Sequence, residues 1–283
     1  MLGGMSRVTR RRRILRVRRD DAGALAATDR EDALAVEEPL EIRIDGASFA
    51  VTMRTPGSDF DLVAGFLVSE GMAWAGEHVA GLRYCAGTDD DGRQTYNVID
   101  VARGPGAPTP EAAAQRQQYI SSSCGICGTA SIDAVRKAAA FDLGADAATI
   151  DAGVLLGLPD ALRSGQAVFE RTGGVHAAGL FALDGTLLCL REDVGRHNAV
   201  DKIVGWALRE GRLPLRETVL QVSGRASFEL VLKAQLAGIP ILAAVSAPSS
   251  LAVELADSAG LTLAGFSRGS GLNVYTHPHR VAL

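Results

Sequence analysis

The sequence predicts an α/β protein with two lobes: a small N-terminal α+β lobe and a larger lobe built on a mixed, mostly parallel sheet with helices on its faces. From about residue 173, short apolar runs suited to buried strands alternate with segments of helical length, the pattern of right-handed strand–helix–strand crossovers. Residues 104–110 are rich in proline and glycine, which disfavour both helix and central strand. We therefore place the boundary between the lobes there.

The N-terminal part of the chain is predicted to be a tail followed by the small lobe. Residues 1–33 carry a block of arginines without sustained periodicity, which indicates a basic, disordered tail. The small lobe, residues 34–110, begins with a hairpin over 41–53, where polar and apolar residues alternate. A helix over about 59–70 and strands over 82–85 and 96–101 follow.

The larger lobe, residues 111–283, is predicted to contain a cysteine loop, a helix over 131–140 and then the alternating elements. A strong hairpin signal, Asp184-Gly185, joins strands over 175–183 and 186–190. The other predicted helices cover 199–210, 228–237 and 251–258, and the other predicted strands cover 218–222, 241–245, 261–266 and, at the sheet edge, 272–276.

Composition limits the class of protein. A net charge of -4, 47% hydrophobic residues and 22% charged residues are typical of a soluble globular protein and argue against general nucleic-acid binding. No apolar run approaches the roughly 18 residues that a membrane span needs. Arginines interrupt the first apolar residues, so the sequence lacks the apolar core of a secretory signal. We therefore expect a cytoplasmic protein without a membrane span.

Cys124 and Cys127 form a C-x-x-C pair in a loop rich in serine and glycine. Cytosolic thiols are kept reduced, so such a pair is more often catalytic or metal-binding than a structural disulfide. The pair precedes a predicted helix, whose N-terminal amides favour a thiolate. The two single cysteines, Cys85 and Cys189, lie in apolar surroundings and are predicted to be small buried hydrophobic residues.

Three functions of the C-x-x-C pair remain open from the residues alone. A zinc-stabilised binding module needs four ligands, and the sequence has no second pair, so we assign no metal ligands. A thiol–disulfide oxidoreductase would place the pair at the start of a helix directly after a strand. The third function is covalent sulfur carriage, in which one thiolate accepts sulfane sulfur as a persulfide and the second assists its release. Zinc-dependent deamination is disfavoured because the chain contains no H-x-E motif.

Polar residues follow three elements of the larger lobe, where ligands bind in α/β sheets. Arg196 and His197 follow the hairpin within a dense run of charged side chains, which suits an anionic or polar ligand. Two loops that combine arginine, glycine and serine follow the next strands, Ser223-Gly224-Arg225 and Ser267-Arg268-Gly269-Ser270-Gly271, and together indicate phosphate binding. Neither loop is a Walker or a Rossmann motif. His176, alone on a strand, is predicted to be structural.

These motifs together resemble one family. The quoted motifs are Cys124-Gly125-Ile126-Cys127-Gly128, the run 192–202 (EDVGRHNAVDK), Ser223-Gly224-Arg225, and Phe266-Ser267-Arg268 with Tyr275-Thr276-His277-Pro278. The sequence resembles the FdhD family of formate dehydrogenase accessory sulfurtransferases from about Glu37 to its end. The long motif around His197 is specific, whereas a C-x-x-C pair alone is not.

The resemblance implies a cytoplasmic sulfur carrier, commonly a homodimer. Such a carrier takes sulfur from a cysteine desulfurase and passes it to the molybdenum or tungsten bis-molybdopterin guanine dinucleotide cofactor before that cofactor enters formate dehydrogenase. The cofactor is a bound acceptor, and no permanently bound cofactor is implied. The resemblance also implies a cytidine-deaminase-like fold for the C-terminal lobe, without deaminase chemistry.

The resemblance also implies roles for individual residues. Cys124 is the persulfide carrier, and Cys127 assists it. The residues expected at the cofactor are Arg196, His197, Ser223, Gly224, Arg225, Phe266, Ser267, Arg268, Gly269, Ser270 and Gly271. Gly271 stands where the family has a more basic residue, which puts one phosphate contact in doubt.

Overall fold

The structure is a computed structural model that describes residues 8–85, 87, 95–110 and 140–283. The strands are β1 (Thr9–Arg19), β2 (Leu25–Ala35), β3 (Glu38–Ile44), β4 (Ala47–Arg54), β5 (Val79–Tyr84), β6 (Val98–Arg103), β7 (Ile150–Asp151), β8 (His176–Ala182), β9 (Leu187–Asp193), β10 (Thr218–Val222), β11 (Ile241–Ala244), β12 (Thr262–Arg268), β13 (Gly271–Val274) and β14 (Val281–Ala282). The helices are α1 (Asp59–Ser69), α2 (Ala152–Ser164), α3 (Ala167–Thr172), α4 (Arg196–Arg209), α5 (Phe228–Leu236) and α6 (Ser250–Ala259). None of these helices is long and apolar enough to cross a membrane.

The larger sheet has the strand order β13-β12-β11-β10-β8-β9. Strands β10, β11 and β12 are parallel because α5 and α6 connect them as crossovers. The pairs β8–β9, β8–β10 and β12–β13 are antiparallel. The α/β class is thus confirmed, but the prediction of a mostly parallel sheet is wrong, because hairpin partners flank the parallel centre on both sides. The cytidine-deaminase-like fold stays a prediction.

The smaller sheet has the order β4-β3-β6-β5 and contains the hairpin predicted over 41–53. One apolar cluster includes side chains of this sheet, such as Leu40 and Ile42, and side chains of the larger sheet, such as Leu220 and Leu263. The two sheets therefore share a core. The division of the chain at residue 110 stays a prediction, and the helix predicted over 131–140 lies almost entirely outside the described residues.

Helices α1 and α4 join the two sheets at a close crossing between two glycines. A Cβ atom at Gly65 would lie 1.8 Å from the backbone oxygen of Asp201, and one at Gly205 would lie 1.8 Å from that of Asp61. No side chain fits at such distances, so glycine is required at both positions. We call this contact region between the sheets the seam.

Strands β1 and β2 form an antiparallel hairpin in continuous register from Thr9 opposite Ala35 to Arg19 opposite Leu25. The prediction of a disordered tail over 1–33 is therefore wrong for the residues described there. The hairpin ladder is accompanied by cross-strand charge pairing: Arg12 lies opposite Asp32 and Arg13 opposite Glu31, and Arg11 pairs with Glu31 at 3.3 Å. The sequence analysis considered the arginines as one block and overlooked these partners.

Candidate ligand-binding cleft

The loops that follow β10, β11 and β12 are hydrogen-bonded to one another at one edge of the larger sheet. The amide of Ser246 donates to the oxygen of Gly224 at 3.1 Å, and the amide of Phe266 donates to the oxygen of Ser246 at 3.2 Å. Because the three strands are parallel, their carboxyl ends meet there, which is where α/β sheets bind ligands. The two arginine-containing loops predicted from the sequence thus lie on either side of Ser246.

A cleft of about 650 Å³ opens at this edge, which is within the range of small-molecule sites. Its sheet-side wall includes Ser223, Arg268 and Gly269, so the structure brings these three predicted residues together. The opposite wall comes from α2, α3 and the loop after them, and includes Asp160, Arg163, Gln166 and Phe169. Arg225 is exposed and does not line the cleft.

The end of β12 is strained where it borders the cleft. Phe266 has a φ of 52°, in the left-handed region that a bulky residue seldom adopts, and its side chain is 37% exposed. The register against β13 shifts between Gly265 and Arg268, so a bulge redirects the side chains. The Oγ atom of the fully buried Ser267 has no hydrogen-bond partner among the described residues. Backbone strain and an unpaired buried hydroxyl together are typical of a ligand site.

Arg196 and His197 begin α4 and are only partly paired. Arg196 Nε and His197 Nε2 are buried and lack hydrogen-bond partners in the part of the chain that the structure describes. His197 Nε2 lies 3.8 Å from Glu229 Oε2, which is too far for a hydrogen bond. Burial, and then the positive charges of Arg196 and Lys233, lower the pKa of His197. These two side chains therefore retain hydrogen-bonding capacity, but neither of them lines the cleft.

His176 lines the cleft, although the sequence analysis predicted a structural role for it. A Cβ atom at Gly224 would lie 3.6 Å from His176 Nδ1, so the glycine loop packs against the imidazole ring. Burial, and then the positive charge of Arg196, lower the pKa of His176. The ring is therefore neutral near pH 7 and offers one donor and one acceptor.

Much of the charged run 192–202 belongs to the seam and not to the cleft. Asp193 and Lys202 form a buried ion pair of 2.7 Å, and Thr55 donates its amide to Asp193 and accepts from Lys202 Nζ. Asn198 donates to the backbone oxygen of Met53 at 2.7 Å. The prediction that this whole run suits a ligand is therefore wrong for Asp193, Asn198 and Lys202, which hold the segment 53–55.

Further ion pairs of the seam lie on either side of the glycine crossing. Asp201 accepts from Ser69 Oγ at 2.7 Å and pairs with Lys233 at 2.7 Å. Asp61 pairs with Arg191 at 2.8 Å and with Arg209. These ion pairs belong to the seam, like that between Asp193 and Lys202.

The sequence model of the FdhD/NarQ family matches residues 35–282. The chain belongs to the FdhD/NarQ family. It is 59% identical over 275 residues to the Sulfur carrier protein FdhD of Nocardia farcinica, covering 97% of this chain and 95% of the relative. It is 56% identical over 281 residues to the protein of that name from Streptomyces coelicolor, covering 99% and 98%.

A solved structure supports the fold. A protein from Desulfotalea psychrophila, described as a formate dehydrogenase accessory protein, superposes with a TM-score of 0.73 at 24% sequence identity. The match covers 97% of this chain and 100% of that one. At this identity the likeness shows that the two chains share their fold.

The C-x-x-C pair that the FdhD resemblance singles out, Cys124 and Cys127, lies outside the described residues. Of the other cysteines, Cys189 is buried as predicted, and burial raises the pKa of its thiol to about 11, so the thiol is unreactive. Cys85 is half-buried. Among residues 8–85, 87, 95–110 and 140–283, no three His, Cys, Asp or Glu side chains are grouped so as to hold a metal ion.

The wall formed by α2 and α3 is the part of the site that the sequence analysis missed. No element was predicted over 150–172, yet signals for a helix are present. Asp151 caps α2 by accepting from the amides of Gly153 and Val154, and Leu155, Leu158 and Leu162 recur at helical spacing and are buried. A cap followed by this spacing would have predicted the helix, although not the cleft beside it.

Proposed function

We propose that this protein is a cytoplasmic sulfur carrier that serves formate dehydrogenase maturation. Cys124 accepts sulfane sulfur from a cysteine desulfurase as a persulfide and passes it to a molybdenum or tungsten bis-molybdopterin guanine dinucleotide cofactor. The observation that carries the proposal is the match over nearly the whole chain to relatives named Sulfur carrier protein FdhD. The C-x-x-C pair in a loop of small residues agrees with it.

The chemistry of the thiols follows from sulfur exchange. The Cys124 thiolate attacks the terminal sulfur of the donor persulfide, a new S–S bond forms on Cys124, and the donor cysteine leaves as a thiolate. Transfer of the terminal sulfur breaks the S–S bond and leaves Cys124 as a thiolate, and the acceptor metal in its reduced state would supply the two electrons that convert the sulfane sulfur to a sulfido ligand. Cys127 assists by resolving a stalled persulfide: its thiolate attacks the Cys124 sulfur, a disulfide forms, and hydrosulfide is released.

The cleft supports the proposal on the acceptor side. Arg268 and Gly269 line it together with Ser223, and the unpaired Ser267 hydroxyl lies within the same bulged segment. An arginine fork beside flexible backbone suits the phosphates of a dinucleotide. The other expected contacts, from Arg196, His197, Gly224, Arg225, Phe266, Ser270 and Gly271, remain part of the proposal, as does a homodimeric state.

The experiment that tests the proposal is persulfide loading. The full-length protein is incubated with a cysteine desulfurase and cysteine, and its intact mass is measured under non-reducing conditions. We expect the mass to increase by one sulfur atom in the wild type and in Cys127→Ala, and to stay unchanged in Cys124→Ala. Cys189→Ala is the matched control, because its thiol is buried. A mass increase of one sulfur atom in Cys124→Ala, as in the wild type, would overturn the assignment.

A further inference from the structure

Strands β1 and β2 form a two-stranded sheet that is separate from the two larger sheets, and we call residues 9–35 the ribbon. Each strand has 11 residues and is about 35 Å long, and no side chain of either strand is buried. Apart from β1, the element that β2 packs against most is α3, and Ala35 lies beside Gly174 at the base of the ribbon. The ribbon therefore projects from the body of the protein into solvent.

One face of the ribbon exposes three large aliphatic side chains toward its free end. Leu15 and Val17 alternate onto this face of β1, and Leu25 shares the face because it pairs with Arg19. The three side chains are 64%, 58% and 66% exposed. A two-stranded hairpin without further packing is marginally stable in water, and a cluster of exposed aliphatic side chains marks an interaction site. The ribbon thus needs a partner that covers this face.

The other face of the ribbon is strongly basic, with five arginines against a single acidic residue, Asp32. In β1, Arg11 bonds to Glu31 and Arg19 to the oxygen of Gly23. The other five arginines of β1 form no side-chain hydrogen bond or ion pair with any residue that the structure describes; they are Arg10, Arg12, Arg13, Arg16 and Arg18. Guanidinium groups without partners suit the carboxylates of another surface.

The composition of the ribbon favours a protein partner over a nucleic acid. Residues 9–35 contain no aromatic side chain on which a base could stack. The aliphatic face also carries Asp29 and Glu31, which would repel phosphate. An apolar centre with arginines around it is instead typical of interfaces between proteins.

Charge indicates that the partner is a second copy of this chain. The ribbon carries 8 basic and 5 acidic residues, whereas residues 36–283 carry 20 basic and 28 acidic residues. The body of a second copy therefore has the opposite net charge and attracts the ribbon. A second copy is also present wherever the chain is made, so the ribbon stays covered, and twofold symmetry buries two ribbons in one dimer.

We propose that the ribbon is the arm of a dimer. The ribbon of each copy lies on the body of the other, which covers Leu15, Val17 and Leu25 and places carboxylates opposite the unpaired arginines. This inference rests on the homodimeric state in the proposed function and goes beyond it, because it assigns the surface that joins the copies. The region that the family model matches begins at residue 35, so the features that define the family include almost none of the ribbon.

Sedimentation velocity of the full-length protein over a dilution series, with a reductant present, measures the dissociation constant of the dimer. We expect Leu15→Thr combined with Val17→Thr, which keeps β-branched residues in the strand, to raise that constant about 10-fold or more. Arg16→Glu combined with Arg18→Glu should do the same, and added salt should weaken the wild-type dimer. Val51→Thr, at an exposed position of β4, is the matched control and should leave the constant unchanged.

Photo-crosslinking locates the contact. The amino acid p-benzoylphenylalanine replaces Val17 in the full-length chain, and unlabelled chains are mixed with isotope-labelled chains before irradiation. We expect products that contain one chain of each kind, with the crosslink joining position 17 of one chain to a residue within 36–283 of the other. Far-ultraviolet circular dichroism shows whether each variant retains its secondary structure.

The outcomes are distinguishable. A wild type that stays monomeric at every concentration would overturn both the inference and the homodimeric part of the proposed function. A dimer whose dissociation constant is the same in all variants, or crosslinks within single chains alone, would overturn the inference and leave the proposed function intact. Binding of a fluorescent DNA duplex that is lost in the Arg16→Glu and Arg18→Glu variant, with the dimer unchanged, would assign the arginines to phosphate and equally overturn it. Persulfide loading of Cys124 tests sulfur transfer separately.

Discussion

Residues 192–202 contribute to both the seam and the cleft. The polar groups of this run differ, however, in whether they have hydrogen-bond or ion-pair partners. In the seam, Asp193, Asp201 and Lys202 each have ion-pair or hydrogen-bond partners within 3.0 Å. At the start of α4, Arg196 Nε and His197 Nε2 have none among the described residues, and neither residue lines the cleft. Proximity in sequence thus does not indicate a shared role.

The comparison distinguishes polar groups that stabilise the fold from polar groups that are available to a ligand. A buried ion pair with complete partners holds its surroundings in one arrangement, and loss of one partner leaves the other charge uncompensated. A buried polar atom without a partner lowers stability, and a ligand that supplies the missing hydrogen bond recovers that free energy. We therefore expect substitutions in the seam to reduce stability and substitutions at the cleft to reduce binding.

The largest expected effect is that of Lys202→Met in the seam. This change leaves Asp193, which is fully buried, without its counter-charge, and we expect the free energy of unfolding to fall by about 3–5 kcal/mol. Urea unfolding followed by circular dichroism measures it. Adding Asp193→Asn should recover part of the loss, because the uncompensated charge is removed.

The counterpart at the cleft is Arg268→Ala, which replaces an exposed side chain. Its free energy of unfolding should stay within about 0.5 kcal/mol of the wild type. A large loss of stability in this variant, or none in Lys202→Met, would contradict the division between the two regions.

A smaller effect is expected where α1 crosses α4. In Gly205→Ala the new Cβ atom meets the backbone oxygen of Asp61, so the helices must separate, and we expect destabilisation of about 1–3 kcal/mol. Gly157→Ala on α2 is the matched control, because no heavy atom lies within 4 Å of its Cβ position. There the helix should gain about 0.5–1 kcal/mol. Thermal and urea unfolding of the two variants should therefore move in opposite directions.

The two regions also differ in the pH dependence of their contributions to stability. Burial raises the pKa of Glu70, in the seam, to about 7, so the folded state binds more protons than the unfolded state between about pH 4.5 and 7. Its contribution to stability therefore grows as the pH falls through this window. Burial and Arg196 lower the pKa of His176 at the cleft, so its contribution is lost as the pH falls below about 6.5.

Variants that cannot ionise isolate the two contributions. Relative to the wild type, Glu70→Gln should be most stabilised at pH 8 and lose this advantage toward pH 5. His176→Gln should show the opposite trend, with its relative stability rising as the pH falls from 7.5 to 5.5. Urea unfolding at closely spaced pH values provides both curves, and parallel curves would show that one of the two environments is wrongly assigned.

The sequence by itself determined the elements whose signals are local. The strands β10, β11 and β12 and their connecting helices follow from apolar runs and helical spacing, and β10 was predicted over 218–222 with its observed bounds. The arginine and glycine loops after β10 and β12 were predicted as one ligand site, and Ser223 and Arg268 do line one cleft. Parallel strands bring their carboxyl ends to one edge, so strand order alone implies this placement.

Only the tertiary structure decided which polar residues have partners. Asp193 is structural because Thr55, far away in the sequence, lies against it, and Gln166 is free because Glu192 caps its helix instead. The arginines of β1 belong to a strand because β2 pairs with it, and Arg12 and Arg13 lie opposite Asp32 and Glu31. Such pairings join residues that are distant in the chain, and local periodicity contains no information about them. The balance of burial, charge and hydrogen bonding that separates the seam from the cleft is set only when those distant segments meet.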